Sequence, residues 1–520
     1  MADTAGPRAV HPPFFALHAP LAVYAANVSL IAWPAVVKPA AAILLGVAVV
    51  WGAVSWLTHS ARQGAAAASA AVFATFAYGP LVTACGWSDD GPLGIAVWAL
   101  FAGLAAWGAA RLARAYAATT SLLNVAGLAM CSLALGSIAV TRVSIGKHLH
   151  ANPTPGTSAA KKPAGPLPDV VLIVLDGYGR TDTFERLYGF SNQEFVDALR
   201  RRGFYVAQNA HSNYSQTELS LASTLNLHYI QDLVPPGPTM EEARGILDGL
   251  IQHSEVSRRL KSIGYKTIAI TTGFPALRFE GTDLVLGFEG GNALFLDALL
   301  EKTPFRRSNA SRISQFDQRR DLLRAAFDHL AEFGSPSAAP RFILVHILAP
   351  HPPFVFGAHG EEVRPKGPFG LWDGNHYMAV LGNVETYRDG YREQAQYIAE
   401  KTLRAIDRLV QGRGQRPIIV LQGDHGPKSL LNQDALGNSD LDEAFGILNA
   451  YYVPEELRSR LYPSISPVNT WRLVLGFLLG TPIPNGPDRS YYAPWSEPLK
   501  FVDVSQRLTP ALPGRTEAGL

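Results

Sequence analysis

Cysteine is scarce: the 520-residue chain holds two, Cys85 and Cys131, and none follows. The remaining three quarters of the chain therefore has no disulfide framework and no thiolate metal site. An excess of one charge is also missing. Lysine and arginine number 45 against 43 aspartate and glutamate, a net of +2. That excludes the strongly basic surface of a nucleic-acid binder, so no nucleic-acid partner is expected. Charge of either sign is sparse in residues 1–141, which are rich in Ala, Leu, Val and Trp. No internal repeat is present.

Long apolar runs fill that charge-poor part. A spanning helix takes about 20 mostly apolar residues, and five such stretches read as 14–36, 40–58, 66–85, 93–112 and 119–140. Pro20, Pro34 and Pro39 interrupt or flank the first two, which membrane helices tolerate. One cleaved leader would need a single short apolar region, so it does not account for several. With the N-terminus inside, Arg8, Arg62, Arg111 and Arg114 are cytoplasmic, while Lys38 and the Asp89-Asp90 turn lie outside. An odd number of spans then puts the rest of the chain outside a plasma membrane. An even number would put it inside.

The expected organisation is a membrane domain at 1–141, a Pro-, Gly- and Lys-rich linker at 142–167, a catalytic domain at 168–482 and a tail at 483–520 packing on it. From 168 onward, apolar strands at 170–175, 266–272, 341–348 and 417–422 alternate with helical patterns at 193–202, 254–263, 318–333 and 389–411. The alternation predicts an α/β fold, a mostly parallel sheet flanked by helices.

Two of those strands end in chemistry. VVLIVLDGYGR runs six apolar residues into Asp176, and PIIVLQGDHGPK ends in Asp424 and His425. Buried parallel strands present such groups at the carboxyl edge of a sheet, where α/β enzymes keep their sites. Either aspartate alone could be an ordinary turn residue, but two strand ends in one domain are candidates for a divalent cation. Mixed oxygen and nitrogen donors favour zinc or manganese. In SNYSQTELSLAS, Ser215 and Glu218 have capping-box spacing and predict a helix start. Thr217 would then sit in the first turn, where an anion or a deprotonated hydroxyl is stabilised, with Ser220 as the competing nucleophile. VHILAPHPPF carries His346 inside the apolar run and His351 on a proline-stiffened loop. Both are candidates for substrate binding, and His351 also for protonating a leaving group. Asn213, Lys428 and Arg180 could add contacts to an anion.

LIVLDGYGR, TELSLAS, HILAPHPPF and LQGDHG follow one another in the order of the alkaline-phosphatase superfamily. The chain resembles its membrane-bound, sulfatase-like branch, which includes lipoteichoic acid synthase and the phosphoethanolamine transferases of the bacterial envelope. The likeness covers roughly 168–480, and the preceding spans resemble the five-helix anchor of those transferases. It implies that Thr217 is the nucleophile, transiently phosphorylated in a two-step exchange, and that Asp176, Asp424 and His425 hold the metal together with Thr217. His351 matches the histidine those transferases use for substrate, with His346 in a matching place before it. The C/S-x-P-x-R motif of formylglycine sulfatases is lacking. Asp176 is followed by Gly177 rather than a second aspartate, which favours one metal, and PKSLLNQDALGNSD lacks the further histidine of the phosphoethanolamine transferases.

The expected function is transfer of a phosphoryl headgroup, of phosphoethanolamine or phosphoglycerol type, through Thr217. The donor would be a membrane phospholipid and the acceptor an envelope lipid or glycan. The alternatives are a hydrolase or phosphodiesterase using water at the same site, and a non-catalytic envelope-binding protein.

Overall fold

The computed structural model describes residues 7–28, 31, 33–86, 92–151, 166–234, 236–274, 277, 279, 281–287, 291–305, 309–411 and 416–510. The chain divides into two compact units. One comprises Met1–Lys147 with Glu289–Arg312, the other His148–Phe288 with Ile313–Leu520.

The first unit is helical: α1 (His11–Ala25), α2 (Pro34–Thr58), α3 (Ala61–Ala84), α4 (Pro92–Ala115) and α5 (Ala117–Ala151). Among the described residues, four helices, α2 to α5, are long and apolar enough to cross a membrane. The expected first span at 14–36 is not one helix, because α1 stops at Ala25 after 15 residues and α2 begins at Pro34. Hydropathy cannot see that break, since the residues on both sides are equally apolar. The expected linker at 142–167 begins as helix, α5 continuing to Ala151, and 152–165 lie outside the described residues. A helix from much later in the chain, Gly291–Leu300, belongs to this unit. Its Phe295 and Leu299 are buried in a cluster with Leu21, Tyr24, Ile31 and Val36, and the Gly79 amide donates to the Lys302 carbonyl at 3.0 Å.

The second unit is a seven-stranded mixed sheet. Its strands are β1 (Val170–Leu175), β2 (Tyr205–Val206), β3 (Lys266–Thr271), β4 (Leu284–Gly287), β5 (Arg341–Ile347), β6 (Ile418–Gln422) and β7 (Asn449–Tyr452), in the order β2-β7-β6-β1-β5-β3-β4. Five neighbouring strands pair parallel, and at one edge β7 pairs antiparallel with both β6 and β2. The central strand β1 is apolar throughout because both faces are buried. Val170, Leu172 and Val174 enter one core, Val171, Ile173 and Leu175 the other, and β6 divides its residues in the same way. Register puts Val174 opposite both His346 and Gln422, so the ends of β1, β5 and β6 lie level. The four expected strands and four expected helices are present. The two- and four-residue strands β2, β4 and β7 are too short to give a periodic signal.

Two helices aim the site. Thr217–Asn226 is buried along its whole length and packs Leu219, Leu221, Ala222 and Leu225 into the first core. Val384–Val410 packs Tyr387, Tyr391, Ala395 and Ile398 into the second. Residues 483–510 of the tail carry a small two-stranded ribbon, Tyr491–Tyr492 with Val502–Asp503; 511–520 lie outside the described residues.

Candidate active site and metal centre

Asp176 follows β1 directly, and Gly177 turns the chain away with φ of 77°, a left-handed conformation glycine adopts without strain. The Gly177 amide donates to Asp424 Oδ1 at 3.0 Å, tying the ends of β1 and β6. After β6, Gly426 lets the loop pass close to another backbone, since a Cβ there would meet the Glu443 carbonyl oxygen at 2.0 Å. His425 Nδ1–H donates to the Gly426 carbonyl at 2.8 Å. That fixes the ring with Nε2 pointing at Thr217 Oγ1 (3.2 Å), Asp176 Oδ1 (3.4 Å) and Asp424 Oδ2 (3.6 Å). Thr217 Oγ1 also reaches Asp176 Oδ2 at 3.5 Å. The four residues expected to hold a metal are therefore together.

A fifth donor joins them. His346 is fully buried on β5, with Nε2 3.3 Å from Asp176 Oδ2, and a ligand atom each from Asp176, His346 and Asp424 lie within 4.8 Å of one another. Among the described residues, Asp176 Oδ1 and Asp424 Oδ2 have no hydrogen-bond partner. Buried polar atoms left in that state are costly, and oxygens and an imidazole nitrogen facing one another fit a divalent cation of the zinc or manganese kind. His346, expected to touch substrate, is thus placed at the carboxylates. Burial alone would push the Asp176 carboxyl up, but the imidazoles of His351, His346 and His425 hold it well below the usual carboxylate range. Burial lowers the His425 imidazole, against the pull of Asp424, which favours its neutral, ligating form.

Thr217 is the first residue of its helix, but the expected capping box does not form. Gln216 is the N-cap and no side chain caps the helix. Glu218 is drawn instead into an ion pair with Arg244, both side chains nearly buried. Ser220, the competing nucleophile, is fully buried and donates to the Asp424 carbonyl at 2.6 Å, bracing the ligand loop. Asn213 is also a brace: its side chain donates to the Arg489 carbonyl and accepts from the Val468 amide, and it is not among the residues that line the cavity at Thr217. Arg180 is engaged by Asp182 and His211.

Thr217 opens onto a cavity of about 460 Å³, whose wall includes His351, Trp372, Asp373, Lys428 and Trp495. His351 Nδ1–H donates to the Pro352 carbonyl at 2.6 Å, leaving Nε2 3.7 Å from Asp373. Lys428 Nζ lies 3.1 Å from His425 Nε2 and 3.2 Å from Asp373 Oδ2. Burial would raise the Asp373 carboxyl, but Lys428 and His351 bring it down to about 2.

Sequence reading missed the residues that hold these loops. From the Val384–Val410 helix, Tyr387 donates to Asp373 at 2.6 Å and accepts from the Lys428 amide. Tyr391 donates to the Gly177 carbonyl at 2.8 Å and accepts from the Gly179 amide. Gln394 binds the Pro350 and His351 carbonyls and the Val355 amide. Their spacing of four and three residues marks one helix face. The two tyrosine rings pack in the core on that face, and their polar tips carry the second role.

Comparison with known proteins gives three findings. No curated protein matches the chain. Solved structures resembling it include the C-terminal periplasmic domain of EptC from Escherichia coli with zinc, at 14% identity over 68% of this chain and 95% of that one, TM-score 0.40. They also include the integral membrane lipooligosaccharide phosphoethanolamine transferase A from Neisseria meningitidis, at 13% identity over 90% and 95%, TM-score 0.36. A third is a sulfatase-like protein from Bacteroides thetaiotaomicron, at 14% identity over 61% and 72%, TM-score 0.37. The assignment rests on the family model for sulfatases, which matches residues 168–444, more than half the chain and all of the site except the tail. The chain belongs to the sulfatase family of the alkaline-phosphatase superfamily, joined here to N-terminal membrane helices.

Proposed function

We propose that this protein transfers a phosphoryl headgroup from a membrane phospholipid to an envelope lipid or glycan through a covalent intermediate on Thr217. The observation that carries this reading is the position of one hydroxyl. Thr217 Oγ1 stands between the ligand cluster and the cavity, on the first residue of a helix whose free N–H groups favour negative charge.

Asp176, Asp424, His425 and His346, with Thr217, would hold a divalent cation; such an ion supplies Lewis acidity to the Thr217 hydroxyl and to phosphoryl oxygens. Thr217 Oγ attacks phosphorus and gives its proton to water in the cavity, from which it takes one back when it is released; the bond from phosphorus to the diacylglycerol oxygen breaks, and that oxygen takes up a proton. His351, held by Pro352 with Nε2 toward the cavity side, is the group placed to deliver it. In the second step the acceptor hydroxyl gives a proton to His351, attacks the same phosphorus and releases Thr217, which regains its own. Lys428 meets the phosphoryl charge as a fixed ammonium.

The anchor fits a lipid donor, because a site confined near headgroups works at high effective concentration. Its orientation holds with four spans as with five. If α1 does not cross, Arg62 after α2 and Arg111 and Arg114 in α4 still share one side, and Asp89-Asp90 and the end of α5 share the other. Only Arg8 changes sides; Lys38, at the start of α2, stays outside. The catalytic unit is then extracytoplasmic at a bacterial plasma membrane in both arrangements.

The test is peptide mass spectrometry across residues 212–223 of the full-length protein purified from its own membranes, with Thr217→Ala as control. A headgroup-phosphate adduct on Thr217 is expected. A bare Thr217, with turnover retained in the alanine variant, would sink the covalent mechanism and leave hydrolysis by direct attack of water.

A further inference from the structure

The cavity wall carries ionisable groups beside Thr217, and each carboxylate among them is already matched. Glu218 is paired with Arg244, which also donates to Gln216 Oε1 at 3.0 Å and to the Trp495 carbonyl at 3.1 Å. Asp373 receives Lys428 at 3.2 Å, the Tyr387 hydroxyl at 2.6 Å and the Gly374 amide at 2.9 Å. His376 faces Asp434 at 2.9 Å. An ammonium entering this space meets no uncommitted carboxylate among the described residues.

The aromatic alternative is closed in part as well. The Arg244 guanidinium lies 4.2 Å from the centre of the Trp495 ring. A cation is best held over an indole face, and here that face already has one, which would repel another. Trp372 remains, and the carboxylate that follows it in the same wall, Asp373, is the one already held by Lys428. A neutral polyol finds the same wall favourable. Its C–H faces pack on indole, and its hydroxyls can donate to the paired carboxylates and accept from their cationic partners, since a hydroxyl is both donor and acceptor.

Building on the transferase reading above, we propose that the donor headgroup is an uncharged polyol, glycerol being the simplest, and that amine headgroups are rejected. The ion pair of Glu218 and Arg244, stacked on Trp495, is the discriminating element.

The experiment uses the full-length protein in vesicles of phosphatidylglycerol and phosphatidylethanolamine in equal amounts. Loss of each lipid, release of diacylglycerol and the mass of the Thr217 adduct are followed together. Phosphatidylglycerol should be consumed at least about ten-fold faster, with a phosphoglycerol adduct. Equal or faster loss of phosphatidylethanolamine, with its adduct on Thr217, would overturn the headgroup proposal and leave the transferase reading standing. No loss of either lipid and an unmodified Thr217 would overturn both. In Arg244→Gln, Glu218 is freed and the preference should narrow several-fold toward phosphatidylethanolamine; an unchanged ratio in the folded variant would refute the role given to the pair. Should that variant fail to fold, the wild-type ratio still decides.

Discussion

The ligand corner and the cavity wall meet at Thr217, yet they are built on opposite plans. The corner hangs from the level ends of β1, β5 and β6, and its side chains Asp176, His346, Asp424 and His425 are fully buried, with several polar atoms unsatisfied among the described residues. The wall is assembled from single residues far apart in sequence, Glu218, Arg244, Asp373, Lys428 and Trp495, and its charges are paired off. A corner with unmet donors and acceptors is prepared for an ion. A wall with matched ones is prepared for a neutral surface. In the function proposed above, the difference separates what performs the chemistry from what selects the molecule.

Substitutions can break this comparison, and the largest effect belongs to the corner. Asp424→Asn should abolish metal retention and lower turnover by at least about 10³-fold. The metal-free variant should nevertheless melt no lower than the metal-free parent, because Oδ1 can still accept from Gly177 while a buried charge is removed. Metal analysis beside thermal denaturation reads both, and a clear drop in melting temperature would mean the carboxylate stabilises the fold by itself. Next is the brace: Tyr391→Phe loses one donor and one acceptor to the Gly177 loop. It should cost about 1–2 kcal/mol of stability and reduce kcat more than KM, since it lets the Asp176 loop drift. An effect on KM alone would place Tyr391 with the wall. Trp495→Ala should do the reverse, raising KM by about three- to ten-fold with little change in kcat; a matching loss in kcat would show that the wall takes part in the chemistry.

The smallest effect is in pH. Burial raises the Glu443 carboxyl from its ordinary 4.5 to about 7, against hydrogen bonds from Ser429, Tyr188 and the Leu430 amide. Its folded value lies above its unfolded one, so its stabilising share is complete below about pH 4.5 and is lost as pH rises through about 7. Asp373 behaves oppositely. Held down to about 2 from 3.8, it stabilises above that ordinary value and loses its share as pH falls toward 2. Melting curves of Glu443→Gln should flatten between pH 4.5 and 7 and keep the acid limb. A slope that persists in the variant would assign that window to another group.

The same contrast explains what could be read from the chain. Asp176, Asp424 and His425 were legible because each sits at the end of a continuous apolar run, and a buried parallel strand delivers its last residue to the sheet edge. His346 was legible as a candidate but its place beside the carboxylates was not: position inside the run hid that the end of β5 is level with them. The wall has no such signature. Nothing local links Arg244 to Glu218, and the capping-box spacing pointed Glu218 at the wrong partner. Asn213 had the composition of a binding residue and proved to fasten the tail. In the membrane part, hydropathy located α2 to α5 but merged α1 with its neighbour, because backbone geometry rather than apolarity breaks the helix there.

The Gly291–Leu300 helix makes the two units harder to separate than the order of the chain implies. They are joined at three points, near residues 147, 288 and 312, instead of one. Proteolysis between α5 and β1 would leave both halves tethered. A secreted version beginning at Pro168 would carry Phe295 and Leu299 without the α1 and α2 residues that bury them, two apolar side chains ready to capture detergent or a second molecule. Anyone wishing to crystallise the catalytic unit alone should replace 289–312 with a short glycine-serine bridge. For the same reason, recombination that exchanged the anchor as a simple N-terminal cassette would leave part of it behind.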